Sequence, residues 1–191
     1  MADDTLSRCP WCGSDPLYVA YHDQEWGVPS FDDRHLFEKL CLEGQQAGLA
    51  WITVLRKRAG YRQAFHDFDV RRVAAMTDDE VLAQMANPGV IRHDRKLLAI
   101  RDNARAALAV QEEFGSLSRY LWGFVGERPL VNHWLSYREA PAATEVSKRL
   151  SRELKKRGFR FVGPTTLYAF MQGVGMVNDH ETGCFRHRAL A

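Results

Sequence analysis

The sequence predicts an all-α fold, and three observations predict it. Apolar residues recur at helical spacing through most of the chain. Capping residues stand directly ahead of several of these runs. No run rich in β-branched residues alternates with polar ones as a half-buried strand would. At 191 residues the length suits a single domain over 1–191, with room for two helical lobes sharing one interface.

Each element has its own signal. Asp32 can cap a helix in which Leu36, Phe37, Leu40 and Cys41 share a face, which makes Cys41 a core thiol. A second helical run carries Trp51, Ile52, Val54 and Leu55 and continues toward Phe65. Asp69 starts a short helix holding Val73. Thr77 and Glu80 have capping-box spacing and open a helix with Val81, Leu82 and Met85 facing inward. Asn87-Pro88-Gly89 marks a turn. The long helix that follows carries Leu97, Leu98, Ile100, Ala104, Leu108 and Val110 and stops near Gly115. Ser116 caps the next, with Leu117, Tyr120, Leu121 and Phe124. Pro129 and Pro141 make 125–142 a connector. Val146, Leu150 and Leu154 define a helix that ends at Gly158, in the position glycine commonly fills after a helix. Phe159 to Pro164 forms a short hairpin into a last helix with Leu167, Phe170 and Met171.

No stretch of about 18 apolar residues exists to span a membrane. The acidic start Met1-Ala2-Asp3-Asp4 does not suit a secretory signal, so the expected compartment is the cytoplasm. A net charge of +2 does not announce nucleic-acid binding, but Lys148, Arg149, Arg152, Lys155, Lys156, Arg157 and Arg160 crowd one short stretch. Such a run is either a solvated helix face or an anion-facing surface. Here it ends at a glycine-bearing hairpin between helices, whose N–H groups can meet a phosphate without reading sequence.

The four cysteines, Cys9, Cys12, Cys41 and Cys184, do not form a disulfide framework in a cytosolic chain. Cys9-Pro10-Trp11-Cys12 lies near one end, His180 and Cys184 near the other, and His22 between. Thiolates with imidazoles suit tetrahedral zinc. Two sets compete: Cys9, Cys12, His180 and Cys184, which spacing favours, or the same set with His22 in place of Cys12. Either ties the chain's ends together, the work of a structural ion. A redox role for the Cys-x-x-Cys pair needs a βαβ context that the sequence lacks.

Four segments carry a resemblance. They are Asp15-Pro16-Leu17-Tyr18-Val19-Ala20-Tyr21-His22-Asp23-Gln24-Glu25-Trp26-Gly27-Val28-Pro29, Leu42-Glu43-Gly44-Gln45-Gln46-Ala47-Gly48-Leu49-Ala50-Trp51-Ile52-Thr53-Val54-Leu55, Lys155 to Gly163, and Val177-Asn178-Asp179-His180. Together they closely resemble the 3-methyladenine DNA glycosylase I family of the helix–hairpin–helix superfamily, across nearly the whole chain. The resemblance implies a base-excision repair enzyme, a monofunctional DNA glycosylase that hydrolyses the bond between 3-methyladenine and deoxyribose. It implies double-stranded alkylated DNA as the partner, no nucleotide cofactor, and a monomer. It assigns a structural zinc to Cys9, His22, His180 and Cys184, leaving Cys12 a bystander. It assigns the base pocket to Tyr21, Trp51 and Glu43, with Tyr18 and Trp26 beside them. It assigns the DNA-holding hairpin to Lys155, Lys156, Arg157, Gly158, Arg160 and Gly163. The aspartate that most of the superfamily places after the hairpin's second helix aligns with Asn178, next to Asp179.

The chemistry fits these residue types. An alkylated adenine is cationic and leaves readily, so the enzyme must extract and recognise it rather than protonate it. Aromatic faces such as Trp51 and Tyr21 attract cations. Glu43, in an apolar-flanked helix, accepts protons from the purine edge and is the expected catalytic carboxylate. The same residues would equally suit a module that binds a flipped base without cleaving it.

Overall fold

The computed structural model describes residues 6–191; Met1–Asp4, with the leader question they bear on, lie outside the described residues. Helices α1 (Pro16–Gln24), α2 (Asp33–Gln46), α3 (Trp51–Leu55) and α4 (Arg58–Ala64) form the first half of the chain's core. Then follow α5 (Val70–Ala74), α6 (Asp78–Leu82), the 21-residue α7 (Asp94–Phe114) and α8 (Leu117–Trp122). After the connector come α9 (Glu145–Lys156), α10 (Pro164–Gly173) and α11 (Phe185–Ala189).

The caps fall where the sequence puts them. Asp32, Asp69 and Ser116 accept from the main chain of the first turns of α2, α5 and α8, and Thr77 with Glu80 makes a complete capping box on α6. Gly115 and Gly158 end α7 and α9 at φ +87° and +90°, values that suit glycine. The core is one continuous cluster in which α2 touches α7, α8 and α10 and is buried along nearly its whole length from Leu36 to Gln45. Cys41 is buried in it, as expected.

Three expectations need correction, and one helix had no expectation. The helix predicted from Trp51 to Phe65 breaks at Arg56–Lys57 into α3 and α4. Of the three residues expected to face inward on α6, only Val81 is buried, while Leu82 and Met85 are each 38% exposed. The cause is that α6 ends at Leu82 and a tighter single turn carries Ala83–Ala86, which rotates both side chains outward. The connector is not wholly irregular, since β1 (Leu130–Val131) pairs in parallel with β2 (Val177–Asn178). Two residues per strand leave too little sequence for an alternating pattern to register. Finally, α1 had no amphipathic signal: its buried residues, Val19, Tyr21 and His22, do not make a single apolar stripe. Asp15 caps it by accepting from Leu17 and Tyr18.

Candidate functional site

A cavity of about 230 Å³ opens where α1, α2, α3 and α10 meet the connector. That is small beside the roughly 300–1,000 Å³ of pockets for drug-sized ligands, and suits a single heterocycle. Aromatic rings make most of its wall: Trp11, Tyr18, Tyr21, Trp26, Trp51 and Tyr137. Polar groups are few, namely Glu43, Gln46, Gln172 and Asp179. All five sequence-predicted pocket residues therefore stand on one cavity.

Tyr21 and Trp51 face each other with ring centroids 5.5 Å apart and planes tilted by 43°. Trp11 packs against Tyr18 at 5.1 Å and against Trp26 at 4.9 Å. The Trp51 indole Nε1 is buried and has no hydrogen-bond partner. An unanswered buried donor costs free energy, and Trp51 carries that cost at the cavity wall.

Beneath the aromatic pair lies a residue that sequence reasoning missed. Lys39, fully buried one turn before Glu43 on α2, donates to Tyr21 Oη at 2.6 Å and lies 3.5 Å from Glu43 Oε1. Its Nζ stands 4.0 Å from the Trp51 ring centroid and 4.7 Å from that of Tyr21. Gly173 makes room for it, because a Cβ there would come within 3.1 Å of Lys39 Nζ. Burial pushes the Glu43 carboxyl above its usual range, and Lys39 pulls it back. Burial likewise pushes Lys39 down while Glu43 and Glu25 draw it up. Tyr21 is driven well above its ordinary value, first by burial and then by the charge of Glu43. The i, i+4 spacing of Lys39 and Glu43 reads in sequence as an ordinary surface ion pair, which is why it carries no signal of burial.

Cys9, His22, His180 and Cys184 are all buried, with ligand atoms within 4.8 Å of one another, and could hold a metal ion. Cys184 Sγ is 3.5 Å from both His22 Nε2 and His180 Nδ1, and Cys9 Sγ is 3.6 Å from His180 Nδ1. Donors around a tetrahedral ion with bonds of about 2.0–2.3 Å stand roughly 3.5 Å apart. The other nitrogen of each imidazole is engaged: His22 Nδ1 lies 2.7 Å from Asp23 Oδ1, and His180 Nε2 lies 2.9 Å from the Trp26 carbonyl. That outer layer fixes the inward nitrogen as the one with a free lone pair. Without an ion, one hydrogen bond between the two thiols pushes Cys9 up and Cys184 down. Spacing favoured Cys12, and the structure corrects it. A single tight turn over Pro10–Cys12 points the Cys12 thiol back to the Cys9 carbonyl at 3.2 Å, and His22 fills the place from the last turn of α1. The Cys-Pro-Trp-Cys motif contributes to the cavity instead, by placing Trp11.

The hairpin between α9 and α10 sits on the body through named contacts. Asn103 takes both polar main-chain atoms of Arg160, and Ser151 Oγ donates to the Val162 carbonyl at 2.6 Å. Gly44, the residue after Glu43, is overlaid by Phe161, which a Cβ would meet at 3.1 Å. Arg157 pairs with Glu113, and Arg160 with Asp102. Lys155 and Lys156 are exposed, Lys156 pairing with Glu153. Gly163 precedes α10 with no side-chain cap on the helix's first N–H groups. Of the pair beyond α10, Asn178 is turned to the His187 carbonyl and is no part of the cavity, whereas Asp179 lines it.

Residues 11–187 match the family model described as methyladenine glycosylase. A DNA-3-methyladenine glycosylase of Haemophilus influenzae is 54% identical over 178 residues, covering 93% of this chain and 96% of that protein. DNA-3-methyladenine glycosylase 1 of Escherichia coli is 51% identical over 94% of this chain and 96% of its own length. A crystal structure of a 3-methyladenine DNA glycosylase I superposes with a TM-score of 0.92 at 53% identity, covering 94% and 98% of the two chains. The Staphylococcus aureus enzyme described in terms of 3-methyladenine recognition gives 0.91 at 35% identity, over 94% and 96%.

The buried Lys39–Glu43 pair has a measurable consequence. Lys39→Met leaves Glu43 buried with no cation, which destabilises the protein by about 3 kcal/mol at neutral pH. The folded state then prefers the protonated carboxyl, so its carboxyl titrates above the unfolded value of about 4.3. Stability of the variant is retained at low pH and falls as pH rises past that value. Denaturant unfolding of both proteins between pH 4 and 7 checks this, and a loss that does not change with pH contradicts it.

Proposed function

The chain belongs to the methyladenine glycosylase family, and from that premise we propose that it excises 3-methyladenine from alkylated DNA. It is a hydrolase of the N-glycosidic bond that frees the base and leaves an abasic site. The observation that carries this reading is a small aromatic cavity holding a buried carboxylate. A flipped purine needs stacking faces and a few hydrogen-bonding groups at its edge, and little else fits such a volume.

In this reading the lesion lies against the aromatic wall that Tyr21 and Trp51 form, with Tyr18 and Trp26 closing the space around it. Aromatic faces favour the cationic base over its neutral parent by about 0.5–2 kcal/mol, the larger figure applying in a dry site. Glu43 accepts protons from the purine edge. Lys39 supports this by holding Tyr21 and Glu43 in place from behind. The glycosidic bond breaks with both electrons going to the base, which departs neutral. Water adds its oxygen to C1′ and gives up one proton to the solvent. The duplex is held at the hairpin, where Lys155, Lys156 and the N–H groups after Gly158 and Gly163 meet phosphates. Arg157 and Arg160 serve the same hairpin, although a phosphate must compete there with Glu113 and Asp102. Because Phe161 lies on Gly44, the phosphate clamp and Glu43 are held in fixed register.

The ion we assign to Cys9, His22, His180 and Cys184 is a structural zinc. Four protein donors leave no open position for a reacting water, and the soft donor set suits that metal. The whole chain is one glycosylase domain acting as a monomer, with the clasped ends and the central helical lobe meeting at the cavity.

Incubation with methylated duplex DNA, followed by chromatography of the released purines, tests the function. The expected product is free 3-methyladenine, and Glu43→Gln lowers its release by about tenfold or more. Tight binding with no base released overturns the enzyme reading, and full activity in Glu43→Gln overturns that residue's role. Metal analysis is expected to find about one zinc per chain. Chelation or Cys184→Ser is expected to lower the melting temperature. An unchanged melt after the metal is removed contradicts the clasp.

A further inference from the structure

Two carboxylates stand in the cavity wall, and they differ in what answers their charge. Glu43 has the Lys39 ammonium at 3.5 Å. Asp179, 2% exposed, is surrounded by neutral donors alone. Its Oδ1 accepts from Asn132 Nδ2 at 2.7 Å and from Trp134 Nε1 at 2.8 Å. Its Oδ2 accepts from Tyr168 Oη and from Gln172 Nε2 at 2.9 Å. None of the ion pairs among the described residues includes it. A divalent ion in the neighbouring cluster would be balanced by the thiolates of Cys9 and Cys184.

Four donors and no acceptor match a carboxylate, which only accepts. Hydrogen bonds from neutral groups hold that form in place but leave its net charge intact. In a dry cavity such a charge acts strongly on whatever enters. The donors also fix its position: two belong to the connector and two to α10, so the carboxylate cannot swing toward solvent without breaking both sets.

We propose that Asp179 is a specificity-determining residue, supplying the negative charge by which the cavity selects a positively charged guest over a neutral one. This rests on the base-excision reading above, and the guest is then the cationic alkylated nucleotide. Glu43, already neutralised by Lys39, reads the shape and hydrogen-bonding edge of the base. Asp179 reads its charge. While the bond breaks, positive charge passes from base to sugar within the same enclosure, and Asp179 continues to oppose it. The departing base is neutral, so Asp179 holds the substrate without holding the product.

Asp179→Asn is well suited to the test. Tyr168 can rotate its hydroxyl and Gln172 can turn its amide to accept from the new Nδ2, while the carbonyl oxygen keeps Trp134 and Asn132. Shape and hydrogen bonds are retained and only the charge is lost. Release of 3-methyladenine from methylated duplex is expected to fall about a hundredfold. Affinity for the free, neutral base is expected to stay within about twofold of the parent protein, since no net charge is opposed. A parent protein that releases no base overturns the excision reading itself. A folded Asp179→Asn protein that releases base at the parent rate overturns only the role of Asp179. Should the variant not fold, the parent protein still supplies a result able to overturn the proposal. Duplexes with hydrolysis-resistant 2′-fluoro sugars, carrying either 3-methyladenine or its uncharged 3-deaza analogue, are compared for binding. Tighter binding of the charged lesion by about tenfold or more is expected, and equal binding of the two overturns the proposal.

Discussion

The constraint on which the rest depends is the burial of an ammonium and a carboxylate on one helix beneath two aromatic rings. Separating Lys39 from water costs several kcal/mol unless its charge and hydrogen bonds are answered. Tyr21 from α1, Glu43 from α2 and Trp51 from α3 answer them together. Once those groups are committed to Lys39 they cannot reorient, so the lysine rigidifies the wall it supports. Such pre-organisation is what a recognition site needs, because little ordering is then left to the moment of binding. The same enclosure explains Gly173, where a side chain would displace the lysine.

Two further assemblies are fastened to this wall. On one side, Trp26 packs edge-on against His180 at 4.6 Å and accepts from it through its carbonyl, so the Cys/His cluster backs the aromatic lining. Trp11, carried on the turn between Cys9 and Cys12, packs edge-on into the same lining. On the other side, the hairpin rests on Gly44 beside Glu43 and is clamped by Asn103. The pocket and the hairpin between α9 and α10 are thus neighbours of one helix, α2, which is buried along most of its length.

Much of this was legible in the sequence where the physics is local. Caps at Asp32, Asp69, Thr77 and Ser116 and the stops at Gly115 and Gly158 depend on residues within a turn of one another, and all were found where expected. The residues of the cavity came from long motifs, because no spacing rule joins Tyr21 to Trp51. The cluster was legible as cysteines and histidines near the two ends and needed the motifs only to choose His22 over Cys12. What escaped depends on tertiary surroundings. Lys39 looks like a solvated helix residue until α10 and α1 cover it. Asp179 looks like a loop acid until four donors from the connector and α10 converge on it. Cys12 was favoured over His22 because spacing cannot register the turn that faces the Cys12 thiol toward its own backbone. The break at Arg56 and the outward rotation of Leu82 and Met85 are likewise set by how short helices end, which periodicity does not encode.

The central claim is that a preformed aromatic cavity recognises the methylated purine as such. Titration of the intact protein with free 3-methyladenine and with unmodified adenine, followed by tryptophan fluorescence, tests it most directly. The account predicts quenching by 3-methyladenine, since Trp51 stacks on it, and binding at least about tenfold tighter than that of adenine. Equal binding of the two bases would contradict it.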